Sequence, residues 1–143
     1  MKIKTDFKVR TYECDSYNHV NNAVYLNYLE YARADYMDQT GFRYLDFVEA
    51  GYFLYVTHID IHYKASARYG DELEIETFAI KLGAVSGTFK QVIRRKNADG
   101  SLGDVCAEAE VSWACVNKEG RPSKIPSEFM IDAIKPDAAD LAL

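Results

Sequence analysis

The sequence predicts an α+β fold in which an antiparallel sheet of about five strands wraps around one long helix. Apolar residues recur at helical spacing in only one long segment. In five other segments they alternate with polar residues, and four of these segments follow one another with turn signals between them. With 143 residues, 48% of them hydrophobic, the chain has ample material for one core. We expect a single domain over 1–143, with a core at about 5–130 and a frayed tail at 135–143.

The first strand and the long helix come first along the chain. Phe7 and Val9 alternate with charged residues, which predicts a half-buried strand at 5–11. From 22 to about 40 the apolar residues are spaced by three and four, which places them on one side of a helix. Gly41 is expected to end this helix, because glycine adopts positive φ without steric cost.

Four consecutive strands are expected after the helix, each with an apolar and a polar face. Their expected bounds are 55–63, 71–82, 86–96 and 105–116. In the last of them, Val105, Ala107 and Ala109 are expected on one face. Tyr-Gly-Asp before the second of these strands and Asp-Gly after the third are turn signals. Short helical turns are expected at 42–51 and 127–134.

A sheet of this kind has more surface than a single helix covers. At least one long strand edge stays exposed, and pairing between copies of the chain commonly removes such an edge. We therefore expect a homodimer or a homotetramer.

Composition limits the kinds of partner and the compartment. The net charge is −5 and no run of Lys and Arg occurs, which argues against nucleic acid or a membrane as a partner. The chain has no run of about 18 apolar residues, and its first residues lack an apolar leader segment, so we expect a cytoplasmic protein. Cys14, Cys106 and Cys115 are spaced neither like a zinc ribbon nor like a disulfide framework, and are expected to be reduced.

The segment 13–33 reads ECDSYNHVNNAVYLNYLEYAR. Its first half is rich in short polar residues, and its second half belongs to the expected long helix. This segment resembles the signature of the 4-hydroxybenzoyl-CoA thioesterase-like family of hotdog-fold acyl-CoA thioesterases, Asp-x-x-Gly-His-Val-Asn-Asn-x-x-Tyr-x-x-Tyr-x-Glu-x-Ala-Arg. The matching positions are Asp15, Asn18, His19, Val20, Asn21, Asn22, Tyr25, Tyr28, Glu30, Ala32 and Arg33. A second family signature, Tyr-x-x-Pro-x-x-x-Gly-Asp, is matched by Tyr63, Ser66, Gly70 and Asp71.

Two positions depart from the family pattern. Asn18 replaces the glycine, and asparagine is the non-glycine residue that best tolerates left-handed φ, so the turn is expected to survive. Ser66 replaces the proline. This change is expected to loosen the backbone that leads into the next strand and to have little effect on the chemistry.

The resemblance implies a hotdog fold and the hydrolysis of a fatty or aromatic acyl-CoA to free acid and CoA, with no cofactor and no metal. Free backbone amides at a helix start are suited to hold a thioester oxygen as it becomes an oxyanion. By resemblance, the amide near Asn22 takes this role and Asp15 acts as nucleophile or as general base toward water. The sequence leaves both routes open.

Further residues are expected around this carboxylate. His19 is expected to support Asp15 or to position water, or to be a structural histidine of the loop. The candidates for contact with the substrate are Asn18, Tyr25, Tyr63, Lys64 and Arg68. Additional cations for the phosphates of CoA are Lys90, Arg94 and Arg95.

Two other functions stay open at this point. A hotdog dehydratase or hydratase would use His19 with a helix carboxylate such as Glu30, although the His-Phe-Pro pattern of that family is absent. A catalytically silent acyl-binding dimer would not need Asp15. The acyl carrier is also open, since an acyl carrier protein can replace CoA.

Glu30 and Arg33 lie three residues apart on the helix. They are expected to form a pair on its surface, or Glu30 is expected to meet a loop of the partner.

Two other groups of residues are weaker candidates for a functional site. His58, Asp60 and His62 share one face of a strand, but such residues spread over roughly 13 Å, too far for all three to bind one metal ion. Cys14 with His19 nearby suggests a thiol nucleophile, whereas a small buried residue is the simpler interpretation of Cys14.

Overall fold

The computed structural model describes residues 1–141 and contains one five-stranded antiparallel sheet in the order β1-β3-β4-β5-β2. The strands are β1 (Ile3–Lys8), β2 (Phe53–Tyr63), β3 (Glu72–Leu82), β4 (Ser86–Lys96) and β5 (Leu102–Val116). The helices are α1 (Val24–Thr40), α2 (Tyr44–Glu49) and α3 (Ala138–Leu141), with single 3-10 turns at Thr11–Glu13, Ser127–Phe129 and Asp132–Ile134. The expected α+β class and hotdog architecture are confirmed.

The apolar side of α1 is buried against one face of the sheet, mainly over β1 and β3. Its buried side chains are Tyr25, Tyr28, Leu29, Ala32 and Tyr36. The first four pack in one cluster with sheet residues such as Ile75, Ile93 and Val111, each of which has no exposed surface. A second cluster gathers around Phe47 and Trp113, under α2. Burial of this much apolar surface fixes where the start of α1 lies.

The first strand is shorter than its alternation predicts, ending at Lys8 instead of residue 11. The Glu13 carboxylate accepts a hydrogen bond from the Arg10 amide at 2.7 Å, and the Glu13 amide donates to the Arg10 carbonyl at 3.1 Å. These two bonds close a 3-10 turn and take the chain out of the strand ladder.

The long helix is confirmed and begins two residues later than expected, at Val24. Asn21 accepts the amide of Ala23 on its side chain and the amide of Val24 on its carbonyl, so the chain turns before it coils. Gly41 ends the helix with φ of 77°, as expected.

A bulge in β5 changes which of its side chains lie on each face of the sheet. Val105 pairs with Arg94 and Ala107 pairs with Ile93, which leaves Cys106 as an extra residue. Cys106 and Ala107 are both fully buried, whereas Val105 lies on the other face from Ala107. The expectation that Val105 and Ala107 share a face is therefore wrong, because one inserted residue reverses the alternation.

The C-terminal region forms short turns. The helical segment expected at 127–134 is two separate 3-10 turns, and Phe129 and Ile134 from these turns are buried. The tail expected to be frayed contains α3, and the Met1 ammonium pairs with Asp140. Residues 142–143 lie outside the described part, and fraying stays a prediction. None of the helices within residues 1–141 combines the length and apolarity needed to cross a bilayer.

Gly87→Ala is expected to lower the free energy of unfolding by about 1–3 kcal/mol, because the added methyl group overpacks a crowded site. An ideal Cβ at Gly87 would lie 2.4 Å from the Trp113 ring and 3.0 Å from the Lys81 carbonyl. Gly83→Ala is the matched control, since its Cβ meets nothing closer than 3.4 Å. Urea unfolding of both variants checks this, and equal midpoints would contradict it.

Candidate active site

Asp15 closes a tight loop over residues 15–19, here called the acid loop. Its Oδ1 accepts the amides of Tyr17 at 2.9 Å and His19 at 3.1 Å. The Asp15 amide donates to the His19 carbonyl at 2.8 Å, and Cys14 and Val20 form a β-bridge at the base of the loop. Within residues 1–141 nothing donates to the second oxygen, Oδ2. One carboxylate oxygen therefore fixes the loop while the other stays available for chemistry.

Asn18 allows the loop to turn. It is the one non-glycine residue with positive φ, 60°, among residues 1–141. Its side-chain oxygen accepts the Tyr69 amide at 3.3 Å, which ties the acid loop to the segment after β2. The expectation that the turn survives without glycine is confirmed, and asparagine adds a hydrogen bond that glycine lacks.

The start of α1 offers an unused backbone donor. The amides of Asn21, Ala23 and Val24 all donate within the chain, to the Glu13 carbonyl, the Asn21 side chain and the Asn21 carbonyl. The Asn22 amide, by contrast, donates to no acceptor in the described part of the protein. A free amide at the positive end of a helix is a suitable donor to a developing oxyanion.

A cavity of about 410 Å³ brings these groups together. Its lining residues are Asp15, His19, Val20, Asn21, Asn22, Tyr25, Tyr63, Lys64, Ala65 and Ser66. Six of the eight residues expected at the site from the sequence are among them, and the other two, Asn18 and Arg68, are not. Asp15, Asn22 and both tyrosines thus line one cavity.

Two tyrosines form one wall of this cavity. The Tyr63 hydroxyl donates to the Asn22 carbonyl at 2.8 Å, and the two tyrosine rings meet edge to face at 5.4 Å. The Tyr25 hydroxyl accepts the Ala67 amide at 2.9 Å, and burial raises the pKa of Tyr25. Because both hydroxyls bind the backbone, the two tyrosines tie the helix start to the end of β2 and to the segment after it.

Residues 9–132 match the family described as the thioesterase-like superfamily. The chain belongs to this superfamily. Long-chain acyl-CoA thioesterase FadM of Escherichia coli (strain K12) is 34% identical over 116 residues, which cover 80% of this chain and 83% of that protein. Acyl-acyl carrier protein thioesterase ATL2, chloroplastic, of Arabidopsis thaliana is 30% identical over 123 residues, 85% of this chain and 63% of that protein.

Solved structures agree with this membership of the thioesterase-like superfamily. The probable thioesterase YbaW from Escherichia coli is 31% identical and superposes with a TM-score of 0.75, covering 88% of this chain and 92% of that structure. The resemblance inferred from the acid-loop motif is therefore confirmed, as is the fold it implied.

The structure places the cations that are expected to meet CoA in different surroundings. Lys64 stands at the cavity rim, where its ammonium pairs with Glu108 at 3.2 Å. Arg95 is occupied elsewhere, with Asp71 at 3.1 Å, Asp104 at 3.2 Å and the Ser66 carbonyl. It holds the turn of the second signature in place and is not free for a phosphate. Lys90 lines a separate cavity on the sheet.

Glu13 was not singled out from the sequence, and Tyr28 was named only as a position of the family motif. Glu13 is a buried carboxylate, 7% exposed, that accepts both the backbone amide and the Nε of Arg10. The Tyr28 hydroxyl is buried with no hydrogen-bond partner in the described residues, and burial, followed by Glu13, raises its pKa. The spacing of Arg10 and Glu13 is a signal for such a turn, although alternation of apolar residues masked it.

Glu30 and Arg33 do not pair with each other. Arg33 Nη1 donates to the Gln91 side chain at 3.0 Å. Both residues line a second cavity of about 470 Å³, away from the one that holds His19. The structure therefore does not bring together the His19 and Glu30 pair that a dehydratase would need.

The three residues considered as metal ligands do not converge either. His62 Nε2 lies 3.0 Å from Asp60 Oδ1, and both side chains are largely exposed on the sheet surface. A bulge between Val56 and His58 interrupts the strand on the near side. Among residues 1–141, no group of three or more His, Cys, Asp or Glu side chains is close enough to hold a metal ion.

Asn18→Val is expected to lower the free energy of unfolding by about 1–2 kcal/mol, because a β-branched residue is disfavoured at positive φ. Asn18→Gly should keep the backbone turn and lose only the bond to the Tyr69 amide. Chemical denaturation of the two variants beside wild type checks this order. A valine variant as stable as the glycine variant would show that the turn tolerates any side chain.

Proposed function

We propose that this protein hydrolyses acyl-CoA thioesters to a free acid and CoA, with Asp15 as the reacting carboxylate. The observation that carries the proposal is that Asp15 and the free Asn22 amide line one cavity. The names of the relatives FadM and ATL2, both thioesterases, support the same reaction class.

The start of α1 supplies the electrostatic part of the mechanism. The thioester oxygen accepts a hydrogen bond from the Asn22 amide, and the helix dipole adds positive potential at this end. Because the interaction strengthens as negative charge develops on the oxygen, it stabilises the transition state more than the ground state.

Asp15 supplies the covalent or proton-transfer part. As a nucleophile, Oδ2 attacks the carbonyl carbon, the carbon–sulfur bond breaks, CoA leaves as a thiolate, and water then hydrolyses the mixed anhydride. As a general base, Oδ2 takes a proton from water, the resulting hydroxide attacks the same carbon, and CoA again leaves as a thiolate. Both routes use the same oxygen, and both give one free acid and one thiol.

The remaining site residues have positioning roles. His19 holds the acid loop through its backbone, and its side chain lines the cavity where water enters. The Tyr63 hydroxyl donates to the Asn22 carbonyl, which ties residue 22 at the helix start to the end of β2. Lys64 meets the phosphates of CoA at the rim. Arg68 and Asn18 lie outside the cavity wall and keep at most an outer role in substrate binding.

The protein is proposed to act as a homodimer in the cytoplasm. Within residues 1–141, β2 pairs with β5 alone and its other edge carries unpaired backbone groups. Tyr55 and Val56 on this strand are 54% and 48% exposed. A second copy would cover this edge. The three cysteines carry free thiols, which suits a reducing compartment.

Asp15→Asn is expected to fold normally and to lower turnover of acyl-CoA by about 100-fold or more, because the amide neither attacks a thioester nor accepts a proton. Release of free thiol from short, long and aromatic acyl-CoA substrates measures the effect and identifies the preferred acyl group. Asp132→Asn is the matched control, since that carboxylate is 94% exposed and does not line the cavity.

Each result of this screen has a defined meaning. A wild-type protein without thiol release on any acyl-CoA, but active on acyl-acyl carrier protein, would move the assignment to the carrier that ATL2 is named for. Full activity of Asp15→Asn would contradict the role of Asp15. Hydration of an enoyl-CoA without thiol release would instead indicate the dehydratase class.

Cys14→Ser is expected to keep turnover within about threefold of wild type, because a protonated thiol is a poor nucleophile. Burial, then the charges of Glu13 and Asp15, raise the pKa of the Cys14 thiol, so it stays protonated at neutral pH. Iodoacetamide labelling of Cys14 should accordingly speed up as pH rises above neutral. Loss of activity in the serine variant would point to the thiol as the nucleophile.

A further inference from the structure

Glu13 is the one acidic residue that is buried within residues 1–141, with 7% of its surface exposed. Burial of a carboxylate is unfavourable unless hydrogen bonds replace those it makes to water. Glu13 Oε1 accepts two such bonds, from the backbone amide of Arg10 at 2.7 Å and from its Nε at 3.3 Å. In this part of the chain, Glu13 Oε2 accepts from no donor. The reaction proposed above leaves this carboxylate without a role.

The backbone of Glu13 joins the two parts of the candidate active site. Its carbonyl accepts the Asn21 amide at 2.9 Å, directly before the free Asn22 amide at the start of α1. Asp15 follows Glu13 by two residues, at the beginning of the acid loop. A displacement of residue 13 is therefore transmitted both to the reacting carboxylate and to the oxyanion donor.

Tyr28 on α1 places an unsatisfied donor beside this turn. Tyr28 is 3% exposed, and its hydroxyl is buried without a hydrogen-bond partner among the described residues. Its ring centroid lies 4.3 Å from that of Phe7 on β1, in a core cluster that also packs against Cys14. Burial, and then the carboxylate of Glu13, raise the pKa of Tyr28, so its hydroxyl is protonated at neutral pH. A donor without an acceptor thus lies close to an acceptor oxygen without a donor.

We propose that Glu13 is a positioning residue of the thioesterase site, and that its Oε2 accepts a hydrogen bond from the Tyr28 hydroxyl. The inference rests on the proposed function and adds to it a residue that does not contact the substrate. This junction holds α1 against the turn at Thr11–Glu13, which sets Asp15 relative to the Asn22 amide. Both groups act most strongly on the transition state, so a loss of alignment lowers kcat more than it raises KM.

Three variants test the junction through acyl-CoA hydrolysis. Glu13→Ala should lower kcat by about tenfold or more and change KM by less than about threefold, because misalignment weakens transition-state binding most. Tyr28→Phe should lower kcat by about threefold or more for the same reason. Glu13→Gln should keep kcat within about threefold of wild type, since its oxygen accepts the Arg10 amide and its NH2 group donates to the Tyr28 oxygen.

Tyr36→Phe is the matched control for Tyr28→Phe. It also removes a buried hydroxyl from α1, but this hydroxyl donates to the Ala133 carbonyl and does not line the cavity. Its kcat should stay within about twofold of wild type, because it is remote from the junction. The double variant Glu13→Ala with Tyr28→Phe should be no slower than Glu13→Ala alone, since both changes break one contact. Effects that multiply would show that the two residues act separately and would overturn the proposal.

Amide hydrogen exchange gives a readout that does not depend on activity. The Asn21 amide should exchange at least about tenfold faster in Glu13→Ala and in Tyr28→Phe than in wild type or Tyr36→Phe, because the loosened turn releases its bond to the Glu13 carbonyl. If Glu13→Ala is unfolded by circular dichroism, the comparison of Tyr28→Phe with Tyr36→Phe decides.

The two readouts separate the junction from the reaction. A wild type that releases no thiol, with the expected change in exchange, would refute the proposed reaction and leave the junction standing. Unchanged exchange of the Asn21 amide would overturn the junction. In an active protein, full kcat in both single variants would overturn the positioning role of Glu13 while the reaction stands.

Discussion

The acid loop depends on the two amide hydrogen bonds accepted by Asp15 Oδ1. They draw the Tyr17 and His19 amides onto one oxygen and so fix the carboxylate orientation before any substrate arrives. Preorganisation of this kind matters because a group that must reorient during the reaction loses part of its catalytic effect. The loop is in turn anchored at both ends, by the Cys14–Val20 bridge and by the Asn21 amide on the Glu13 carbonyl. The buried turn at Glu13 therefore anchors the acid loop that carries Asp15.

The packing of α1 on the sheet places the backbone amides at the helix start beside the acid loop. Burial of the tyrosines and Leu29 fixes the helix along its length, so its first amides come to a defined place beside Asp15. The buried Gln91 strengthens this arrangement, because it binds the Leu29 carbonyl on the helix and Thr77 on a neighbouring strand. A fully bonded polar group inside a core favours one register over its neighbours. Electrostatics at the helix start thus depends on packing near the middle of the helix.

Much of the fold followed from local patterns, while the contacts between distant segments did not. The period of α1, its end at Gly41 and the bounds of β4 were all predictable, since each reflects one local rule. The acid-loop motif also located most of the cavity lining. The extra residue Cys106 could not be predicted, because a bulge depends on the partner strand. The partner of Arg33 was missed for a related reason: Gln91 lies 58 residues away and only the folded sheet brings it near.

The bulge in β5 has a consequence for how the cavity is built. At the extra residue, the Cys106 carbonyl turns to accept two amides, from Lys64 at 2.8 Å and from Ala65 at 3.2 Å. The strand β2 ends at Tyr63, and the residues that follow it, Lys64, Ala65 and Ser66, line the same cavity as Asp15. One inserted residue on a neighbouring strand is thereby coupled to the place where β2 ends and the chain begins to line the cavity.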